Sequence, residues 1–161
     1  MTLNTMNDIE IFRLRVSDSE SLAAMLMNDP PEYSRYFQPF AYTLPSVTAQ
    51  LTQAEQDRYW GIRAEGGLCG FFMLRGFDEG YQRPSFGVYI AQYAANQGLA
   101  NLALRYCMAW CRHNQIAALM LKVHPDNQSA RRIYEKAGFV ALETDPQNDN
   151  LVMEKRWIAG A

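Results

Sequence analysis

A buried strand, a long amphipathic helix and a second buried strand follow one another in the middle of the chain. Residues 85–91 form an apolar and aromatic run, residues 98–112 repeat apolar side chains with helical spacing, and residues 117–123 are again apolar. A strand, a helix and a strand in this succession are typical of a right-handed crossover between two parallel strands. This unit therefore predicts a sheet with a central parallel pair.

The segments around this unit predict the remaining elements. Alternating apolar residues, turn residues and prolines divide the chain into short strands and helices. Strands are predicted at 9–16, 58–64, 68–76, 139–143 and 151–157, and helices between 17 and 30, from 46 to about 58, and over 127–137. The fold class is therefore α/β, with a mixed, mostly antiparallel sheet, a central parallel βαβ unit and helices on both faces. A length of 161 residues predicts a single domain, 1–161.

Charge and composition exclude several classes of partner. The formal net charge is -2 and the 15 basic residues are scattered, so no nucleic-acid partner is expected. The sequence has no run of about 20 apolar residues, so no membrane partner is expected. The first ten residues lack a basic region followed by an apolar run, which predicts no signal peptide and a cytoplasmic location.

The three cysteines do not form a metal-binding pattern. Cys107 and Cys111 are one helical turn apart, with His113 nearby, but only His124 remains as a ligand from another element. Small buried side chains in a helix are the favoured interpretation, so no metal is predicted.

A first motif connects the central strand to the long helix. The first turn of a helix carries amide groups without internal partners and a partial positive charge, which together can hold a phosphate. A glycine at this point leaves room for that phosphate. Taken alone, the loop is more typical of an ordinary turn between a strand and a helix. Its residues are Ala95, Asn96, Gln97, Gly98, Leu99 and Ala100.

A second motif lies where the next strand enters a helix. Asn127 is placed to cap the helix, and Tyr134 follows seven residues later, about two turns on and on nearly the same face. One helix face thus carries an amide and a phenol, and both can donate hydrogen bonds. Each residue alone has an ordinary structural role.

Together these motifs resemble the GCN5-related N-acetyltransferase family, over roughly residues 85–143. The resemblance rests on Gly98-Leu99-Ala100, the run from Leu119 to Ala130, Tyr134, and Gly138-Phe139. It implies the acyl-CoA N-acyltransferase fold, with the strands matching 85–91 and 117–123 splayed apart. It also implies acetyl-CoA as co-substrate and direct transfer of the acetyl group to an amine.

The resemblance also implies roles for individual residues. Residues 95–100 would correspond to the family's pyrophosphate loop, and Asn127 would bind the pantetheine arm. Tyr134 would act as the general acid that protonates the departing thiolate. The strand that pairs with the pantetheine arm would contribute Val88, Tyr89 and Ile90, and an amide near Tyr89 or Ile90 would hold the oxyanion.

The sequence departs from the family pattern in two places. Ala95 stands where arginine or glutamine is usual, so one phosphate contact is missing. The strand 85–91 contains no carboxylate, although some members of the family carry their general base there. Asp78 and Glu79, just before this strand, and His124 are alternative bases, and the sequence does not choose among them.

The acceptor is predicted to be the primary amine of a small molecule. A protein or peptide N-terminal acetyltransferase and a non-catalytic CoA-binding module are the alternatives. The segment 30–42 carries five aromatic residues, which form either a wall for the acceptor or part of the core. Asp29 and Glu32 would attract a cationic amine. Edge strands in such a sheet make a homodimer a candidate state.

Overall fold

The computed structural model describes residues 6–157 and contains one mixed sheet of seven strands, as the sequence predicts. The strands follow the order β1-β2-β3-β4-β5-β7-β6 across the sheet. They are β1 (Ile9–Arg13), β2 (Arg58–Ala64), β3 (Gly67–Arg75), β4 (Ser85–Ile90), β5 (Ala118–Val123), β6 (Val140–Thr144) and β7 (Leu151–Arg156). The helices are α1 (Ser19–Asn28), α2 (Leu44–Gln53), α3 (Leu99–His113) and α4 (Gln128–Lys136), with short 3-10 turns at Val16–Asp18 and Gln92–Ala94.

The parallel pair lies in the middle of the sheet, as the predicted crossover requires. β4 and β5 run parallel, whereas the other neighbouring strands are antiparallel. The register of β4 and β5 contains only two residue pairs, Ser85 with Met120 and Phe86 with Leu121. Beyond Phe86 the two strands part, and the sheet opens into a split.

Each face of the sheet is covered by two helices, which confirms the predicted layers. Strand side chains point alternately to the two faces, so one strand contributes to both cores. Phe72 and Leu74 of β3 pack with α3 and α4 on one face, and Phe71 and Met73 pack with α1 and α2 on the other. The first core includes Phe86 of β4 and Leu119 and Leu121 of β5, whereas the second includes Tyr89 of β4.

The predicted bounds of the second helix are wrong. The sequence predicts 46–58, but α2 begins at Leu44 because Pro45 fits its first turn and the Thr43 hydroxyl accepts the amide of Ser46 at 3.3 Å. It ends at Gln53, since the carboxylate of Asp78 accepts the amides of residues 55 and 56 and holds this stretch out of the helix.

None of the helices within residues 6–157 has the length and apolar character needed to span a bilayer.

Candidate active site

The split between β4 and β5 is a cleft of about 300 Å³. Its walls come from both strands, the start of α3, one face of α4 and the aromatic segment before α2. The cleft therefore brings together two motifs that are 27 residues apart in the sequence. Among the residues predicted for the site, it is lined by Val88, Ile90, Ala95, Asn96, Gly98, Leu99, Ala100, Asn127 and Tyr134.

The backbone of β4 exposes alternate residues to this cleft. The amide of Ala91 donates to the carbonyl of Cys69 on β3 at 2.8 Å. Backbone groups of an antiparallel strand alternate between its two sides, so Tyr89 also faces β3, and Val88 and Ile90 face the split. Tyr89, which the family resemblance places in the site, does not line the cleft.

Tyr89 instead anchors the chain that precedes the aromatic segment. Its phenol donates to a carboxylate oxygen of Asp29 at 2.5 Å, and the amide of Gln92 donates to the same oxygen at 3.1 Å. Burial is the main cause that raises the pKa of Tyr89 above its usual range. Asp29, which the sequence suggests as an attractor of cationic amines, is therefore engaged inside the protein.

The start of α3 is open toward the cleft. Gly98 precedes the helix with φ = +87°, a left-handed conformation that favours glycine, and a Cβ there would meet nothing within 4 Å. Within residues 6–157 this end has no side-chain cap, and the amide of Leu102 makes a helical bond to the carbonyl of Gly98 at 3.0 Å. The preceding amides of Leu99, Ala100 and Asn101 have no acceptor within the helix, an arrangement that is suited to an anion. Gln97 belongs to this loop but does not line the cleft.

The start of α4 is capped by the side chain of the residue that precedes it, Asn127. The carboxamide oxygen of Asn127 accepts the amide of Ala130 at 3.4 Å and the hydroxyl of Ser129 at 3.3 Å. Asn127 is therefore the helix cap, as expected from its position. Its Nδ2 group is still able to donate hydrogen bonds to an acceptor in the cleft.

Tyr134 lies further along the same helix and lines another wall of the cleft. Its ring packs edge-on against Phe86, with ring centroids 6.5 Å apart, and against Phe139 at 6.2 Å. Burial raises the pKa of Tyr134 to about 12. The phenol is therefore protonated at neutral pH and available as a hydrogen-bond and proton donor.

The two carboxylates suggested as bases do not line this cleft. Asp78 accepts the amide of Gln56 at 2.7 Å and that of Glu55 at 3.0 Å. These hydrogen bonds lower the pKa of Asp78, which makes it a weaker base. Glu79 is exposed and lines a different cavity. Neither carboxylate is placed to take a proton inside the cleft.

His124 lines the cleft but presents its donor side. Its Nδ1 accepts the amide of Asp126 at 3.1 Å, which places the proton of the neutral ring on Nε2. The imidazole also stacks on Tyr36, with ring centroids 4.6 Å apart. Of the three suggested bases, then, none offers an unoccupied basic atom to the cleft.

The aromatic segment 30–42 is divided between the core and the cleft, and its role as a wall for the acceptor stays a prediction. Phe40 and Tyr42 are buried in the core with α1 and α2. Tyr33, Tyr36 and Phe37 line the cleft instead. The sequence alone could not assign individual aromatic residues to the two roles, because the division depends on which ones reach the split.

Gly87 is a site residue that the sequence analysis missed. A Cβ at this position would lie 2.6 Å from Cε of Met73 and 2.8 Å from ring atoms of Phe37. Only glycine allows these two side chains to cross β4 here. A glycine in the interior of a central strand was the available signal.

A second cavity lies on the sheet face that carries α1 and α2. Its volume is about 830 Å³, and its floor includes Met73, Ser85 and Met120. Lys122 lines both this cavity and the cleft, and its ammonium group contacts the carboxylate of Asp145 at 2.8 Å. The two cavities therefore approach each other across the split.

The part of the chain that the structure describes contains no cluster of three or more His, Cys, Asp or Glu residues able to hold a metal ion. The three cysteines are buried and free, and burial raises the pKa of Cys111 to about 12.

Comparison with known sequences identifies the family. The sequence model of the acetyltransferase (GNAT) domain matches residues 9–140, and the chain belongs to this family. The chain is also 28% identical over 93 residues to a protein of Pseudomonas phage PaMx11 named "5-NmdU N-acetyltransferase". That match covers 58% of this chain and 64% of the phage protein, less than two thirds of its length.

Solved structures of GNAT acetyltransferases share the fold. PaiA N-acetyltransferase from Thermoplasma acidophilum, solved with coenzyme A, is 18% identical with a TM-score of 0.76, covering 93% of this chain and 99% of that one. Ribosomal-protein-S5-alanine acetyltransferase from Vibrio fischeri is 14% identical with a TM-score of 0.77, covering 92% of each chain. The sheet with its splayed parallel pair is thus the acyl-CoA N-acyltransferase fold.

Proposed function

We propose that this protein transfers the acetyl group of acetyl-CoA to the primary amine of a small molecule by direct attack. One observation carries the proposal: the split between β4 and β5 has an open helix end at one side and a buried phenol at the other. The amides at the start of α3 are suited to binding a pyrophosphate, and the phenol of Tyr134 is suited to protonating a departing thiolate.

The donor groups in the cleft fit acetyl-CoA. The amides of Leu99, Ala100 and Asn101 would hold the pyrophosphate, with Ala95 adding no side-chain contact. The split leaves alternate backbone groups of β4, at Val88 and Ile90, for the amides of the pantetheine arm. Asn127 would donate to the same arm through Nδ2. The pyrophosphate and the pantetheine arm of the co-substrate therefore each have partners among the residues of the cleft.

The chemistry then needs few protein groups. The amine attacks the thioester carbon, and the negative charge on the carbonyl oxygen is stabilised by an amide of β4. That amide belongs to Val88 or Ile90, since Tyr89 faces β3. Tyr134 protonates the thiolate as it leaves, the amine nitrogen releases a proton to water, and the phenolate of Tyr134 regains a proton from water, so the neutral thiol and the acetylated amine are the products.

The amine must be neutral before it attacks. An alkylammonium has a pKa of about 10.4, taking lysine as a guide. Asp78, Glu79 and His124 offer no free basic atom to the cleft, so the neutral fraction of the amine in solution reacts. The rate is therefore expected to rise with pH until the amine is deprotonated.

The second cavity supports a small acceptor. Its volume is within the range of small-molecule sites, and it meets the cleft at Lys122. The phage relative is named for acetylation of 5-NmdU, whereas the Vibrio fischeri structure is named for acetylation of a ribosomal protein. Peptide N-terminal acetylation is therefore the second candidate function.

A thiol-release assay tests the proposal. The protein is incubated with acetyl-CoA and a panel of acceptors: amino sugars, amino acids, polyamines, 5-NmdU and peptides with free N-termini. We expect thiol release with at least one small amine. Release with peptides alone favours the second candidate, and acetyl-CoA binding without release favours the non-catalytic module. A protein that binds no CoA contradicts the proposal outright.

A further inference from the structure

Two side chains meet over β4 where the cleft and the second cavity approach each other. Phe37 lines the cleft, and Met73 lines the second cavity. Both lie over Gly87, where a Cβ would be within 2.8 Å of either side chain. Phe37 and Met73 thus form a partition between the cleft and the second cavity.

This partition is held in place by its neighbours. The phenol of Tyr42 donates to the carbonyl of Phe37 at 2.8 Å, and the Phe37 ring packs on Phe71, with ring centroids 6.2 Å apart. Four residues earlier, the phenol of Tyr33 donates to the carbonyl of Ile90 at 2.6 Å. Phe37 cannot move away from Gly87 without disturbing contacts on both sides of it.

The orientation of the co-substrate follows from the two ends of the cleft. A pyrophosphate at the start of α3 directs the pantetheine arm along the split toward Phe86 and Gly87, where β4 and β5 come together. The acyl group, which lies beyond the sulfur, is then the part that meets Phe37.

We propose that Phe37 limits the acyl donor to a two-carbon group and so sets the specificity for acetyl-CoA. The inference rests on the proposed function, because it assumes that the cleft holds an acyl-CoA. A butyryl chain would have to displace the Phe37 ring. With a smaller residue at this position, the chain would extend toward the second cavity beside Met73.

Calorimetric binding of acetyl-CoA and butyryl-CoA tests the proposal without an acceptor. For the natural protein we expect butyryl-CoA to bind at least about tenfold more weakly, because displacing a packed aromatic ring opposes its entry. Each buried methylene contributes about fourfold in affinity and butyryl has two more than acetyl, so Phe37→Ala should let butyryl-CoA bind about 15-fold more tightly than acetyl-CoA. Phe37→Leu, a milder change, should give an intermediate ratio.

Phe40 provides a matched control. It lies three residues further along the same segment and packs on the same Phe71 ring, with centroids 6.0 Å apart, but it is buried in the core and does not line the cleft. Phe40→Leu should lower the urea midpoint of unfolding about as much as Phe37→Leu does. It should leave the ratio of the two dissociation constants unchanged.

The outcomes separate this inference from the proposed function. Equal binding of both acyl-CoAs by the natural protein overturns the role of Phe37. The role of Phe37 is also overturned if the ratio of the dissociation constants of butyryl-CoA and acetyl-CoA is unchanged in Phe37→Leu. It is overturned as well if this ratio changes equally in Phe40→Leu. If Phe37→Ala does not fold, Phe37→Leu decides the question. A natural protein that binds neither acyl-CoA overturns both the inference and the proposed function.

Discussion

Two helices begin at the cleft, and they begin in opposite ways. α3 starts after Gly98, with a left-handed residue and no side-chain cap among the described residues, whereas α4 starts after Asn127, whose carboxamide oxygen accepts the amide of Ala130. A cap typically contributes about 1 kcal/mol to stability. The uncapped start of α3 lacks this contribution and keeps its amides available to a ligand.

The two helix starts therefore offer different kinds of binding group to the cleft: backbone amides at α3 and side chains at α4. At α3 the backbone itself is the binding group, so the sequence there needs only small residues. At α4 the backbone is satisfied internally, so ligand contacts must come from side chains, namely Nδ2 of Asn127 and the phenol of Tyr134. Substitutions at the start of α3 should therefore act on binding, whereas substitutions at α4 should act on chemistry at Tyr134 and on both stability and one ligand hydrogen bond at Asn127.

The largest expected effect is on turnover, from Tyr134→Phe on α4. Loss of a general acid typically costs about 10²–10⁴ in rate, so kcat should fall by about 10³. The dissociation constant of acetyl-CoA should change by less than about threefold, because only the hydroxyl is removed. Steady-state kinetics and calorimetry measure the two effects. An unchanged kcat would show that Tyr134 has no part in proton transfer.

The next effect is on binding, from Gly98→Asp at the start of α3. Asparagine and aspartate both tolerate a left-handed backbone, and a Cβ at Gly98 meets open space, so both variants should fold. A carboxylate here would repel a phosphate by about 3 kcal/mol, so the dissociation constant of CoA should rise about 100-fold. Gly98→Asn is the uncharged control, for which we expect a much smaller rise. Equal losses in both variants would show that charge at this helix end is irrelevant.

Substitutions of Asn127 separate its two roles. Asn127→Ala removes the cap and should lower the free energy of unfolding by about 1 kcal/mol, whereas Asn127→Ser keeps a capping oxygen and should preserve it. Both lose Nδ2, so both should weaken acetyl-CoA binding by about fivefold, the value of one hydrogen bond. Urea unfolding and calorimetry provide the measurements. Normal binding by the serine variant would leave Asn127 with a structural role alone.

The smallest effect is a loss of stability at alkaline pH. The pKa of Tyr134 is raised to about 12, above its usual value of about 10, so the unfolded state releases this proton first. The contribution of the protonated Tyr134 phenol to the free energy of unfolding is complete below pH 10 and is lost as the pH rises toward 12. Between pH 8 and 11, urea unfolding should show about 1 kcal/mol more loss for the natural protein than for Tyr134→Phe. Identical losses would contradict the raised pKa.

The sequence was sufficient to predict the order of strands and helices, because local periodicity and turn residues determine each of them. It misplaced the end of α2, since Asp78 holds residues 55 and 56 from more than 20 positions away. Contacts of that kind leave no local signal. The sequence also could not show which side of β4 the backbone of Tyr89 faces, because that depends on its register with β3.

The site was predicted in part. Periodicity placed Gly98 and Asn127 at the starts of helices, but only the family resemblance suggested that the strands before them separate. The roles of Phe37 and Gly87 were not visible, because they arise where two distant segments cross over β4. Strand propensity predicts that β4 forms and does not predict where its pairing with β5 ends.

The parting of β4 from β5 also gives the protein an unpaired strand margin in its interior. Only two residue pairs join the two halves of the sheet, so the backbone of Val88 and Ile90 resembles that of an outermost strand, although it lies at the centre of the molecule. Exposed margins of this kind readily recruit another extended chain. Here the phenol of Tyr33 already donates to the carbonyl of Ile90, and helices and aromatic side chains surround the rest of this margin, so it is shielded from pairing with a further strand.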